Sequence, residues 1–435
     1  MNHFPVNAAP SGSDYMFVLV MVNLSGNMAL IGGARQEPIL LLFLTLLALR
    51  FIILRQKVTE NFLSVTYAFI LLLLLQAVFL PFFNIITSAG FLVKILIAAL
   101  TIISVQAFRI AFVRVMVWIT MTSLIFHVPN ILGYLSEFQI YELFRPIARI
   151  VNAHQPHEDI ERINILVHNF MTAELSIRNS SVFWEPGAFS GYLILAIILL
   201  ATIQNDLPRK WINRWCVILV IGVLSTLSTT GYLSLPFALF AFRIIALGKE
   251  GISSRSTISI IAFFTFLIPL SLYSWQFDFI GNKILELYER AIYQDAGWQL
   301  SRFGALLFDW EYIQERPLFG WSQSNELQYS LHPDLDSYAT GNGLTGFIRQ
   351  YGIAGLSIFI IAAWAGLALS PLSSIWIISL IIIQLNGEFF LNYPLYLCLA
   401  FLGSEKGFRH HQAEILTPRE NTTTLVRDTR QGATS

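Results

Sequence analysis

The chain has 435 residues, 55% of them hydrophobic and only 12% charged, with 35 Phe and no formal net charge, and its mean hydropathy is +0.63. Soluble domains carry about a quarter charged residues, so this composition excludes a soluble globular protein. Long uncharged runs of about 20 residues are what a helix needs to cross hydrocarbon, and β-barrel alternation is missing, so the expected fold is all-α, a polytopic membrane helix bundle.

Taken in chain order, hydropathy predicts spans near 16–33, 38–54, 62–83, 90–107, 112–133, 187–204, 215–228, 232–247, 257–275, 350–369, 372–387 and 389–403, which is 12 transmembrane helices. The first is interrupted by Asn23, Ser25, Gly26 and Asn27, and nothing around it has the form of a removable signal peptide. The seventh and eighth are separated only by "STLSTTG", whose polar residues and glycine predict a break between two helices. Residues 1–403 form one membrane domain in this reading, and 404–435 a disordered tail.

Orientation follows from the basic residues, because positive loops stay in the cytoplasm. One set of short loops holds 11 of them, from Arg50, Arg55 and Lys57 through Arg109, Arg114, Arg209, Lys210 and Arg214 to Arg243, Lys249 and Arg255, whereas the alternate set holds only Arg35. Both termini are therefore expected in the cytoplasm. Two long segments, about 134–186 and 276–349, are then expected outside, with amphipathic helices in them.

Within the second segment, Phe303, Leu306, Leu307, Trp310 and Ile313 recur at helical spacing and Pro317 ends the pattern. That predicts an apolar face on these residues, with Arg302, Asp309 and Arg316 in a row on the outward one. In the first segment "VNAHQPHEDIER" matches no strong zinc pattern, so a solvated loop feeding a helix is expected and no metal site. Cys216 and Cys398 have no His or Cys near them in sequence, and neither a disulfide nor a metal is indicated. Lys94, His127 and Glu388 would be costly facing lipid, so each is expected to face the bundle or, being near span ends, to snorkel to an interface.

The stretches "RNSSVFWEPGAFS", "STLSTTGYLSLPFALF", "LSRFGALLFDWEYIQERPLFGW" and "GNGLTGFIRQYGIAGL" occur in this order between about residues 178 and 370. In that order they resemble the bacterial O-antigen polymerase and ligase superfamily. The first 130 residues resemble it only in hydropathy. The resemblance implies an enzyme of the bacterial inner membrane that joins glycans carried on undecaprenyl pyrophosphate at the periplasmic face, without a cofactor, metal or nucleotide sugar. The implied partners are that lipid-linked oligosaccharide and the bilayer, with a chain-length regulator and a flippase alongside, and no nucleic acid.

By position, Arg178 and Arg302 match the family's arginines and are expected to clamp the pyrophosphate, since a guanidinium binds phosphate oxygens in pairs and stays charged. Glu185 is expected either to orient Arg178 or accept a sugar hydroxyl, or else only to favour the next helix N-terminus through its charge. Arg316, Asn342 and Arg349 are expected to assist substrate binding from the outer lip, solvation being the alternative for the two arginines. Where ligases of the family have histidine, this chain has Gly341. The catalytic base is therefore left between His332 and Asp334 or Asp336, and polymerase is favoured over ligase. A polar-solute transporter is the alternative from another class.

The topology is checked by reporter fusions: those after residues 57, 114, 210 and 250 should report cytoplasm, and those near 155 and 325 periplasm. Finding 155 and 325 on opposite sides of the membrane would exclude one shared active site.

Overall fold

The computed structural model describes residues 9–27, 30, 36–81, 83–132, 146, 154–157, 160–164, 167–171, 178–204, 206–247, 302–323, 342–367 and 369–405. The chain begins with α1 (Gly12–Leu24), opened by a capping box in which Ser11 and Asp14 satisfy each other's backbone amides. It continues through α2 (Gln36–Ile53), α3 (Glu60–Phe79), α4 (Ile85–Ser104) and α5 (Phe108–Ile131). After a small antiparallel sheet come α6 (Pro186–Thr202), α7 (Arg209–Ser225) and α8 (Thr229–Leu247). Then follow α9 (Arg302–Glu315), α10 (Gly343–Leu367) and α11 (Pro371–Leu385).

Five helices among the described residues, α2 to α5 and α10, are long and apolar enough to cross a membrane. The chain is thus mostly helical and has the helices of a membrane protein. The helices α1, α6, α8 and α11 and the run Pro394–Ser404 are apolar but shorter. The expected span 257–275 lies outside the described residues, as does the tail from 406.

The central element is α6, in which every residue from Ala188 to Thr202 is buried. Its sequence is apolar all round because helices enclose it on every side, not because all of it meets lipid. The break expected at "STLSTTG" is present: α7 ends at Ser225, Leu227 takes a positive φ, and α8 starts at Thr229.

Several expectations are corrected. The first span is not one helix over 16–33, because α1 ends at Leu24 and its carbonyl end is met from the side: the Tyr192 hydroxyl donates to the Ser25 carbonyl (2.7 Å) and the Leu395 amide to the Ser25 hydroxyl (3.1 Å). The twelfth span is not a regular helix either. Its residues form a 3-10 turn at Phe390–Asn392, a single α turn at Pro394–Leu397 and a further 3-10 run at Cys398–Ser404. This run is buried in the bundle, where neighbouring groups satisfy backbone that lipid would not tolerate.

The first outer segment contains three strands, β1 (His154–His157), β2 (Ile160–Asn164) and β3 (Asn169–Met171), paired antiparallel in that order. Alternation over such short polar stretches was too weak to show them in the sequence. Of the two alternatives for His127 the structure shows the first, burial in the bundle, within electrostatic reach of His168, whose pKa is pushed down to about 3 by burial first and by His127 second. Glu388 is also buried. Lys94 is half-buried and within electrostatic reach of Glu37.

Near its middle α10 is interrupted at Gly352, where φ is +67° and ψ is 178°. The backbone groups freed by the break are taken up by the "PLFGW" turn. The Ile353 and Ala354 amides donate to the Pro317 and Leu318 carbonyls (2.8 and 3.1 Å), and the Trp321 and Ser322 amides donate to the Arg349 and Gln350 carbonyls (2.8 and 2.9 Å). Gln76 of α3 donates to the Phe319 and Gln350 carbonyls (2.5 and 2.8 Å). A Cβ at Gly352 would collide with the Leu318 carbonyl. Gly352→Ala should therefore cost about 1–3 kcal/mol for the backbone conformation alone, read as a lowered unfolding midpoint in detergent. Gly90→Ala, in open space within α4, should be neutral or mildly stabilising.

Candidate functional site

The loop before α6 is held by its own polar residues. Asn179 donates its backbone amide to the Ser225 carbonyl (3.0 Å) and its side-chain amide to the hydroxyls of Ser123 on α5 and Ser225 on α7 (both 3.0 Å). Ser181 has a positive φ and accepts at its carbonyl from the Asn169 amide, while the Asn169 side chain donates to the Phe183 carbonyl (3.0 Å). This knot sets Arg178, half-buried, over the end of α7, where its Nε donates to the Thr226 carbonyl (3.4 Å), and within electrostatic reach of Tyr232 on α8.

Glu185 is the N-cap residue of α6 with no side-chain cap hydrogen bond, and Pro186 occupies the first turn as expected. The carboxylate is thus not used up by capping. Trp184 packs on Tyr393 with ring centroids 4.9 Å apart. Glu185 and Glu388 both lie close enough to Tyr393 to act on it electrostatically.

The second group is buried between α9 and α10. Arg349, 2% exposed, places Nε 3.2 Å from Oδ1 of Asp309, which is fully buried. The Thr345 hydroxyl donates to Asp309 Oδ2 (2.5 Å). The guanidinium also lies over the rings of Phe308 and Tyr312, at 5.4 and 5.8 Å. Its Nη1 is buried without a hydrogen-bond partner among the described residues. Burial pushes the Asp309 carboxyl up to about 6, against the pull of Arg349 and Thr345.

Asn342 is the N-cap of α10: its side-chain oxygen accepts from the Leu344 and Thr345 amides (both 3.1 Å), and its amide lies 3.4 Å from the Asn386 oxygen. The first turn of α10 is pressed against the backbone of Glu388, since a Cβ on Gly343 would overlap that carbonyl. This contact places the 385–393 segment between the two groups, touching α10 on one side and, through Tyr393, Trp184 on the other.

The expected residues thus divide. Arg178 and Glu185 stand beside α6, and Arg349 and Asn342 beside α9, all at the same end of the bundle. Arg302 is the first residue of α9, but its side chain lies outside the described residues, as do His332, Asp334, Asp336 and Gly341 altogether. Arg316 stacks over Trp321 (4.4 Å) and is half-buried.

One alternative is excluded and one expectation fails here. Arg349 is not solvated but a buried ion-pair partner. The row through Asp309 does not point outward either: α9 buries Ala305, Phe308, Asp309, Tyr312 and Ile313 and leaves Trp310 51% exposed. Counting apolar side chains rotated the helix wrongly, because a buried arginine on α10 draws an acid inward. Thr345 and Glu388 were not assigned to the site by sequence. The spacing of Thr345 and Arg349, four apart on one helix face, was the available signal.

No protein-family model matches the chain, and no curated protein sequence matches it.

The buried carboxyl gives a pH test. Its folded value lies above the ordinary 3.8, so it adds stability that is complete below about pH 4 and is lost as pH rises through about 6. The unfolding free energy of the wild type relative to Asp309→Asn should therefore fall by roughly 2 kcal/mol between pH 4 and 7. A difference independent of pH would mean that Asp309 titrates as it does in the unfolded chain.

Proposed function

We propose that the chain is a metal-independent glycosyltransferase of the bacterial inner membrane. It polymerises oligosaccharide repeats carried on undecaprenyl pyrophosphate, for O-antigen, capsule or exopolysaccharide, at the periplasmic face. The observation that carries the reading is the buried Arg349 guanidinium, ion-paired with Asp309, whose other oxygen accepts from Thr345, and with neither Nε nor Nη1 hydrogen-bonded among the described residues. A buried fork of this kind, fixed before substrate arrives, suits an oxyanion better than a solvated one does.

In the reaction a sugar hydroxyl of one lipid-linked repeat attacks the anomeric carbon of the growing chain. The glycosidic C–O bond forms, the bond to the pyrophosphate oxygen breaks, and undecaprenyl pyrophosphate leaves with that electron pair. Arg178, Arg302 and Arg349 neutralise the charge on the leaving group. The Trp184 and Tyr393 rings offer a stacking surface for a sugar, and Glu185 or Glu388 joins His332 and Asp334 as acceptor of the hydroxyl proton.

A transporter reading draws support from the interrupted helices, since transporters bind solutes at such breaks. Against it, the break at Gly352 is filled by the chain's own "PLFGW" turn and Gln76, and the end of α1 by Tyr192 and Leu395. Both breaks are thus met by the chain's own groups. Ligase activity, with transfer to lipid A core, is the runner-up within the class.

In a strain lacking the protein, gel analysis of lipopolysaccharide should show core carrying one repeat. Bare core with lipid-linked polymer accumulating would instead make it a ligase, and unchanged glycan with altered solute uptake a transporter. Arg178→Lys and Arg302→Lys should each lower polymer formation about a hundredfold to a thousandfold while Arg316→Lys is mild. Normal polymer from both would overturn the clamp.

A further inference from the structure

At the basic end of the bundle, away from the arginine site, lies a cavity of about 1280 Å³ enclosed by the start of α1, the ends of α2, α4 and α6, and the starts of α5 and α7. This exceeds the ~300–1,000 Å³ of most compact small-molecule sites. Its lining is sorted by chemistry. One wall is apolar and open to the outside, with Leu49, Ile53 and Trp211 at 50, 76 and 48% exposed. The floor holds Arg50, which is paired with Asp14 and donates to the Ser104 carbonyl (3.3 Å).

At the mouth stands Arg114, whose Nη1 donates to the Tyr15 hydroxyl (3.0 Å) and whose guanidinium lies 5.2 Å from the rings of both Tyr15 and Trp118. It has no carboxylate partner among the described residues. Beside it the first turn of α7 exposes Arg209 and Lys210 next to Trp211. Arginine, lysine and tryptophan at one level of an apolar bundle are the side chains that settle at a lipid headgroup boundary.

We propose that this cavity is a binding site for one anionic glycerophospholipid of the adjoining leaflet, its phosphodiester on Arg114 and its acyl chains along Leu49, Ile53 and Trp211. Charge complementarity favours this occupant over a neutral lipid: of the three acids that line the cavity, Asp14 is matched by Arg50 and Glu405 by Arg109, and Arg114 with the exposed Arg209 and Lys210 beside it outnumbers the third, Asp206. A basic pocket between helices on the positively charged side of a membrane protein is where anionic headgroups bind.

The test uses the full chain, released into the gas phase from nanodiscs of equal phosphatidylglycerol and phosphatidylcholine and weighed with its retained lipid. One phosphatidylglycerol per chain should be retained in preference to phosphatidylcholine, and Arg114→Gln should weaken that retention about fivefold. Inorganic phosphate at millimolar concentration should not displace it. Equal retention of the two lipids, retention unaffected by Arg114→Gln, or displacement by phosphate alone would overturn the proposal. A photoreactive side chain in place of Leu49 should capture lipid, whereas capture of residues 1–8 or 406–435 would show that the chain fills its own cavity. Because Arg114 is exposed, its substitution leaves the fold intact, which the unfolding midpoint verifies.

Discussion

A helix broken inside an apolar bundle leaves backbone donors and acceptors that neither water nor lipid can satisfy. At Gly352 the chain meets this constraint with the "PLFGW" turn and Gln76, which together occupy the freed carbonyls and amides. Much of the candidate site follows from that repair. The turn lies directly after α9, so docking it into the break lays α9 along α10 and brings Asp309 to Arg349. Were the helix continuous, the turn would have nothing to bind, and the arginine would have to find a counter-charge elsewhere or face lipid.

Buried charge is used differently at the two ends of the bundle. At the basic end, Arg109 is fully buried, takes both oxygens of Glu405 through its amide and Nε (3.1 and 2.7 Å), and donates to the Gly366 carbonyl (3.0 Å). That arginine, counted in the sequence among the loop charges that set orientation, ties α5 to the last turn of α10 and the end of the buried 398–404 run. At the opposite end Asp309 accepts one hydrogen bond, from the Thr345 hydroxyl, and meets Arg349 as an ion pair at 3.2 Å, with no hydrogen bond to the guanidinium among the described residues.

Helix existence was legible because apolar runs of spanning length have few other uses, and α2 to α5 lie close to the spans drawn from hydropathy. The end of α1 was signalled by Asn23, Ser25, Gly26 and Asn27, but the contacts that hold it were not legible, nor was the irregularity of the 389–403 run. Each is broken by tertiary contacts, the Tyr192 hydroxyl on Ser25 and the Phe390 and Tyr396 rings stacked 4.3 Å apart against Tyr192, and no local pattern encodes a partner about 170 residues away. The polar break at "STLSTTG" was legible because its residues end helices by themselves. For the site, Arg178 and Arg302 were named from motif position and Arg349 from its place near the outer lip, but the burial of Arg349 and the inward turn of Asp309 could not be read, because helical periodicity reports which face is apolar and not which charge has a mate.

The two arginine groups are joined by backbone approach rather than by side chains reaching across. Gly343 lets the Glu388 carbonyl rest against the first turn of α10, and Gly346 leaves room for the Phe389 ring on the same face. That fixes the 385–393 segment against the half of α10 that carries Arg349. The same segment reaches α6 through Tyr393 on Trp184 and through Phe390 seated over Gly191. Arg178 lies only eight residues before the start of α6 and is tied to α7 by Asn179. Small residues in "GNGLTG" and "FSGY" therefore do more than permit close packing. They set the spacing between two cationic groups 171 residues apart in the chain, and a substrate that needs charge at two points, as a pyrophosphate does, is sensitive to that spacing before it is sensitive to either arginine's own pocket.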